Sequence, residues 1–308
     1  MHVSTPVAPD SNPESPSTLQ RWWLAIRPKT LPAAAAGVIV GTALAWRNGG
    51  FSLGPALAAL GVALLLQIGS NLANDVYDDE RGADTTDRLG PVRVTQSGLL
   101  SRDQVKRGMK IVLALAFAIG IYLTFVRGVM VLVIGVAAIV AAVAYTGGPY
   151  PLGHHGLGEV FVFLFFGLTS VVGTYWVQTG TTSVLAWLVA TAIGAIITAI
   201  IVVNNLRDIE QDRAANKRTV AVRIGARATK FEYGTLMTLP YALLTILVVM
   251  HALPLAALLT WLSLPLALRA THRVFAQTGR SLNAALAETG QTALVYSVLF
   301  AVGMVLAR

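Results

Sequence analysis

The feature that most limits how this chain can fold is a series of long apolar runs, each about 17–23 residues without a charge; residues 184–206 are one. A helix of that length rises about 1.5 Å per residue and covers the roughly 30 Å hydrocarbon core of a bilayer. Across 308 residues the chain is 55% hydrophobic and 12% charged, with a mean hydropathy of +0.65. Soluble domains carry about 25% charged residues, so a water-soluble fold is excluded. A membrane β-barrel needs short alternating strands, and none are visible. The sequence therefore predicts an all-α integral membrane protein with about nine transmembrane helices, near residues 31–47, 54–77, 108–126, 128–146, 159–178, 184–206, 230–250, 253–268 and 289–307. Residues 1–20 are rich in Ser, Pro and Thr and are expected to form a disordered cytoplasmic tail, with residues 21–308 as one transmembrane domain.

Basic residues fix an expected orientation. They gather before the first span (Arg21, Arg27, Lys29), after the second (Arg81 to Lys110), after the sixth (Arg207 to Lys230) and before the ninth (Arg269, Arg273, Arg280). These loops fall on one side of a nine-span arrangement, and the bias of Lys and Arg toward the cytoplasm places that side, with the N-terminus, inside a cell membrane. The net charge of +8 is thus a topological signal, and with no aromatic–basic platform beside it, nucleic acid is not an expected partner. Trp22 and Trp23 suit an interfacial anchor before the first span, and Trp176, Trp187 and Trp261 suit membrane interfaces. With no cysteine, disulfides, thiol catalysis and thiolate metal sites are excluded.

Carboxylates are distributed unevenly against this background. Ten of the fifteen lie in residues 71–103 and 208–212, each group at the C-terminal end of an apolar run. The first contains Asn71, Asn74, Asp75, Asp78 and Asp79, and the second Asn204, Asn205, Asp208, Glu210 and Asp212. Ionisable groups beside hydrocarbon are costly, so the concentration marks a functional site. On a helix, Asn71, Asn74/Asp75 and Asp78 share one face, as do Asn204, Asp208 and Asp212, which gives two columns of oxygen ligands with steps of about 6 Å. Two facing columns repel unless cations lie between them, and Mg²⁺ suits carboxylate and amide oxygens together with phosphates. Arg88, Arg93, Lys217 and Arg218 follow the acids closely, as a diphosphate-binding site requires. The shared Asn-x-x-x-Asp of the two groups suggests two similar four-helix halves around a central cavity. The segment Tyr145–Pro151 reads as a turn, with Tyr145 facing the site or acting as an interfacial residue. His154 and His155 make a poor chelate, because adjacent side chains diverge.

The chain resembles the UbiA-type membrane aromatic prenyltransferases. Asn74-Asp75-x-x-Asp78 with Asp84, and Asn205-x-x-Asp208-x-x-x-Asp212 followed by Asn216-Lys217-Arg218-Thr219, carry the resemblance. Arg27-Pro-Lys-Thr-Leu-Pro32, Arg88-Leu-Gly-Pro91-Val-Arg93, Gly156-Leu-Gly-Glu159 and Val222-Arg-Ile-Gly225 are similar to its menaquinone-pathway branch. The resemblance implies transfer of a polyprenyl group from polyprenyl diphosphate to 1,4-dihydroxy-2-naphthoate, with loss of CO₂ and diphosphate. It further implies Mg²⁺ held by Asp75, Asp78, Asp84, Asp208 and Asp212, with Asp75, Asp78, Asp208 and Asp212 catalytic. Asn74, Arg93, Tyr145, Asn205 and Lys217 then bind substrate. Some relatives carry a further Asp where this chain has Gly82, so either Asp79 or Asp84 is expected to complete the first motif. Within the family 4-hydroxybenzoate is the rival acceptor. A cation or phosphate transporter fits less well, since transport sites lie near the bilayer midplane on broken helices. A CDP-alcohol phosphotransferase would hold its acids in one compact motif.

Overall fold

The computed structural model describes residues 16–82 and 89–307. Twelve α-helices follow in chain order: α1 (Thr18–Ile26), α2 (Leu31–Arg47), α3 (Leu53–Glu80), α4 (Arg102–Arg127), α5 (Val129–Ala144), α6 (Gly158–Val162), α7 (Ser170–Thr179), α8 (Val184–Arg207), α9 (Ile209–Ala214), α10 (Val220–Val249), α11 (Leu264–Ala276) and α12 (Leu282–Leu306). A π-helical stretch, Phe163–Thr169, joins α6 to α7, and a 3₁₀ helix, Leu255–Ser263, leads into α11. Among the described residues there is no strand.

Seven of these helical segments are long and apolar enough to cross a membrane, and they coincide with seven of the expected spans. The other two differ in form. The run at 128–146 yields a helix of 16 residues, α5. The run at 253–268 begins as the nine-residue 3₁₀ helix after Pro254. That helix rises about 2.0 Å per residue, so it covers about 18 Å before α11 begins. Residues 1–15 lie outside the described part, and α1 opens at Thr18, inside the segment expected to be a tail. Its start is a capping box between Ser17 and Gln20. The tryptophan pair divides: a Cβ on Gly108 of α4 would meet the Trp22 ring at 2.6 Å, whereas Trp23 is exposed. Arg27, with φ of 54°, and Pro28 then break the helix and turn the chain into α2.

Each half repeats one device, a long helix ending in an Asn/Asp motif and packed along a later helix: α3 on α4, α8 on α10. Helix α8 is the most buried of the seven, and α2 packs on α12 as well as on α7, which joins the first half to the last helix. With no hydrophobic drive between helices in lipid, close approach of backbones supplies much of the packing. Gly37-x-x-x-Gly41 on α2 does this: a Cβ on Gly41 would lie 2.4 Å from the Val171 carbonyl oxygen of α7. Among helices α2 to α7 runs an apolar cavity of about 190 Å³, whose walls include Val38, Leu66, Ser70, Phe117, Phe161, Phe165 and Trp176, with Tyr145 at its head. Trp176 therefore faces this cavity, while Trp187 and Trp261 are exposed.

Candidate active site

The two acidic motifs meet at one end of the bundle. Asp78, near the end of α3, is 3% exposed. Its Oδ2 accepts from Arg93 at 2.9 Å, and its Oδ1 lies 3.5 Å from Lys217 Nζ and 3.2 Å from His154 Nε2. Lys217 belongs to the turn that follows the second motif, so this contact joins chain segments 139 residues apart. Asn216, with φ of 56°, makes the turn; Asn tolerates that left-handed conformation. Asp208 caps the C-terminal end of α8, where the Arg207 guanidinium grips both its oxygens, at 2.7 and 2.5 Å. Arg207 also donates to Asn204 at 2.9 Å and to Asn283 of α12 at 2.8 Å. Asp212 follows on the short α9, outside the spans. Burial pushes its carboxyl up to about 6, the Lys217 and Arg207 charges oppose this, and Asp208 and Asp78 add to the rise. That coupling is the electrostatic sign that the two motifs share one cleft.

The first column divides. Four residues at 71, 74, 75 and 78 span an arc of about 100° at 3.6 residues per turn, wide enough to touch two different neighbours. Asn74 and Asp78 look into the cleft, where the Asn74 Oδ1 accepts from Thr146 Oγ1 at 2.9 Å. Asn71 and Asp75 look toward the chain before α2. Asn71 donates to the Ile26 carbonyl at 2.8 Å and to Thr30 Oγ1 at 2.9 Å. Asp75 is fully buried and accepts from the Thr95 backbone N–H at 2.9 Å, the Val94 N–H at 3.2 Å and Arg27 at 3.3 Å. Asp75 therefore does not join Asp78, Asp208 and Asp212. It ties the Arg27-Pro-Lys-Thr-Leu-Pro segment and the loop at 93–97 to α3. Asp79 pairs with the exposed Arg102 at 2.6 Å. Asp84 and Arg88 lie outside the described residues.

Of the other expected residues, Arg93 and Lys217 reach the cleft through Asp78, and Tyr145 stands where the cleft opens into the apolar cavity. Ser70 lines the cavity one turn before Asn74, which makes α3 a continuous wall from cavity to cleft. Asn205 is engaged elsewhere, donating to Glu159 Oε1 at 3.3 Å. Two cleft residues were not expected from the sequence. Arg207 reads there as a loop charge, and His154 as half of an unpromising pair. The pair does diverge: His155 stacks on Tyr150 at 3.6 Å, which leaves His154 aimed alone at Asp78.

The UbiA prenyltransferase family profile matches residues 34–295. The 1,4-dihydroxy-2-naphthoate octaprenyltransferase of Escherichia coli (strain K12) is 39% identical over 303 residues, covering 95% of this chain and 97% of that protein. The chain belongs to the UbiA prenyltransferase family. The protein of the same description from Mycobacterium tuberculosis (strain ATCC 25618 / H37Rv) is 38% identical, with 92% and 97% covered. Among solved structures, the UbiA homolog from Archaeoglobus fulgidus bound to GPP and Mg²⁺ superposes with a TM-score of 0.68 at 15% identity, covering 92% of this chain and 99% of that one. A UbiA homolog from Aeropyrum pernix K1 gives a TM-score of 0.65, also at 15% identity. The UbiA fold thus extends over almost the whole multi-pass chain, and the family is one of prenyltransferases.

Proposed function

We propose that this UbiA-family member transfers a polyprenyl group from polyprenyl diphosphate to 1,4-dihydroxy-2-naphthoate, a step of menaquinone biosynthesis, with loss of CO₂ and diphosphate. The observation that carries this reading is the meeting of Asp78 with Lys217, beside Asp212, at the head of an apolar cavity. Carboxylates with Arg and Lys suit a metal-bound diphosphate, and an uncharged cavity suits an isoprenoid tail. The acceptor comes from the likeness to the Escherichia coli and Mycobacterium tuberculosis proteins.

The residues present fit a hard divalent cation. Asp78, Asp208 and Asp212 offer oxygen donors only, and no thiolate competes. Among the described residues no three acids or imidazoles enclose an ion by themselves. Mg²⁺ fits such a site, because it usually takes one or two carboxylates and completes its shell with water and phosphate oxygens. Asp78, Asp208 and Asp212 would hold it, with Asn74 beside them and Asp84 a further candidate. Asp75 serves the fold around them. Bound there, Mg²⁺ neutralises diphosphate charge and makes it a better leaving group.

The chain's own groups do the rest. Arg93 and Lys217 hold phosphate oxygens. The Tyr145 ring faces the carbon from which diphosphate departs, and its neutral hydroxyl adds no nucleophilic charge there. Cavity walls such as Phe161 and Phe165 keep water from the allylic cation until the naphthoate ring carbon attacks it. The C–O bond to diphosphate breaks, a C–C bond to the ring forms, and the ring carboxylate leaves as CO₂. We place the acidic end at the cytoplasmic face of the cell membrane, since Arg27, Arg93, Arg207 and Lys217 cluster there. The test compares 1,4-dihydroxy-2-naphthoate with 4-hydroxybenzoate in membranes holding the protein, one polyprenyl diphosphate and Mg²⁺. Product from the naphthoate alone is expected. Preference for 4-hydroxybenzoate overturns the acceptor assignment.

A further inference from the structure

The segment between α5 and α6, residues 145–157, crosses the cleft as a strap fastened to both motifs. On the first-motif side, Arg81 donates to the carbonyls of Thr146 and Gly148, and Thr146 bonds Asn74. On the second-motif side, the Arg218 N–H donates to the His154 carbonyl at 2.7 Å, and Arg223 donates to the His155 carbonyl at 2.7 Å. The strap packs closely at Gly156, whose φ is +74° and whose added Cβ would lie 2.9 Å from the Arg218 carbonyl.

Between these fastenings the His154 ring points inward and is 15% exposed. Asp78 Oδ1 only accepts, so the 3.2 Å contact places a hydrogen on Nε2. Phosphate oxygens accept in the same way, so this donor suits either partner. Asp78 is well supplied with donors, since Arg93 takes one oxygen while Lys217 and His154 share the other. An ion on Asp78 would compete for those lone pairs, and the donors would then turn to the nearest other anion.

We propose that His154 belongs to the diphosphate-binding set: its Nε2–H holds Asp78 by a hydrogen bond before substrate binds, then donates that hydrogen bond to a phosphate oxygen instead and draws the strap onto the substrate. This rests on the metal–diphosphate reading above.

The test uses the full chain in nanodiscs, with inorganic diphosphate and Mg²⁺ as probes. Calorimetry gives the diphosphate Kd for wild type, His154→Ala, His154→Gln and Asp78→Asn. Hydrogen exchange follows residues 146–157. One charge-assisted bond predicts a diphosphate Kd weakened roughly 10- to 100-fold in His154→Ala. Binding of 1,4-dihydroxy-2-naphthoate should be unchanged. His154→Gln, whose amide nitrogen reaches a similar position, should recover most of the loss. In wild type, diphosphate with Mg²⁺ should slow exchange across the strap. A purely structural histidine predicts otherwise, with diphosphate affinity retained in His154→Ala even though exchange across the strap rises. Wild-type affinity in His154→Ala, or a wild-type strap whose exchange ignores diphosphate, overturns the proposal. If diphosphate binds wild type and Asp78→Asn equally, the metal–diphosphate reading fails, and this inference fails with it.

Discussion

Asp75→Asn separates a residue that builds the site from one that works in it. Asp75 Oδ1 accepts from the Thr95 N–H, while Oδ2 accepts from the Val94 N–H and from Arg27. The amide that replaces the carboxylate keeps one acceptor, so the two bonds to Oδ2 are lost in a fully buried position. Both are long, 3.2 and 3.3 Å, which puts each at the low end for bonds to a charged group, about 1.5 kcal/mol. The loss is then about 3 kcal/mol, and by size scaling roughly 5–10 °C in the midpoint of heat unfolding. The loop at 93–97 should open first, since its Val94 N–H is the backbone donor left stranded. Heat unfolding in detergent gives the midpoint, and calorimetry gives the Kd for inorganic diphosphate with Mg²⁺. The midpoint should fall while the Kd stays within about threefold of wild type, less than 0.7 kcal/mol. An unchanged midpoint with at least tenfold weaker diphosphate binding would show that Asp75 is a ligand and refute the reasoning.

Three further outcomes are expected. Asp212 titrates near 6 in the folded protein, above the usual carboxylate range, and a metal needs its ionised form. Mg²⁺ binding should therefore weaken by up to about tenfold per unit as pH falls below 6, and calorimetry at pH 5 and 7 checks this. With no metal added the sign reverses: the folded state holds this proton more tightly than the unfolded chain, so the group's contribution to stability grows as pH falls from 6 toward 4. Arg207→Lys cannot reproduce the two-pronged grip on Asp208 and should raise the KM for Mg²⁺ about tenfold, with kcat less affected. Gly41→Ala forces α2 and α7 apart and should cost about 1–3 kcal/mol, whereas Gly290→Ala, with open space around it, should be neutral or better; heat unfolding compares them.

Helix positions were legible because hydrocarbon leaves a chain little choice: residues 184–206 had to be a helix, and they are. Where the prediction missed, the cause lay outside the local pattern. The run at 253–268 contains Pro254 and winds as a 3₁₀ helix over Leu255–Ser263, a choice that apolar composition does not reveal. The Asn and Asp residues at 71–78 were legible as one face, but their division into a cleft pair and an anchoring pair depends on what packs at each edge of that face. Arg207 owes its burial to neighbours that include Asn283, 76 residues onward. His154 owes its aim to the Pro151–Gly156 turn and to Arg218, and no periodicity marks either.

The π-helical stretch Phe163–Thr169 has a consequence for deletions. A π turn holds an extra residue, which shifts the phase of everything beyond it by about 100° relative to an unbroken α-helix. That shift lets one rod serve two partners set at different angles: Glu159 meets Asn205 before the stretch, and the Val171 carbonyl meets Gly41 after it. Removing a single residue from this apolar stretch would let the rod run straight and swing one of those contacts away. A one-residue loss there, in side chains that bind no ion or phosphate, would then be felt at the second acidic motif or at the α2–α7 seam.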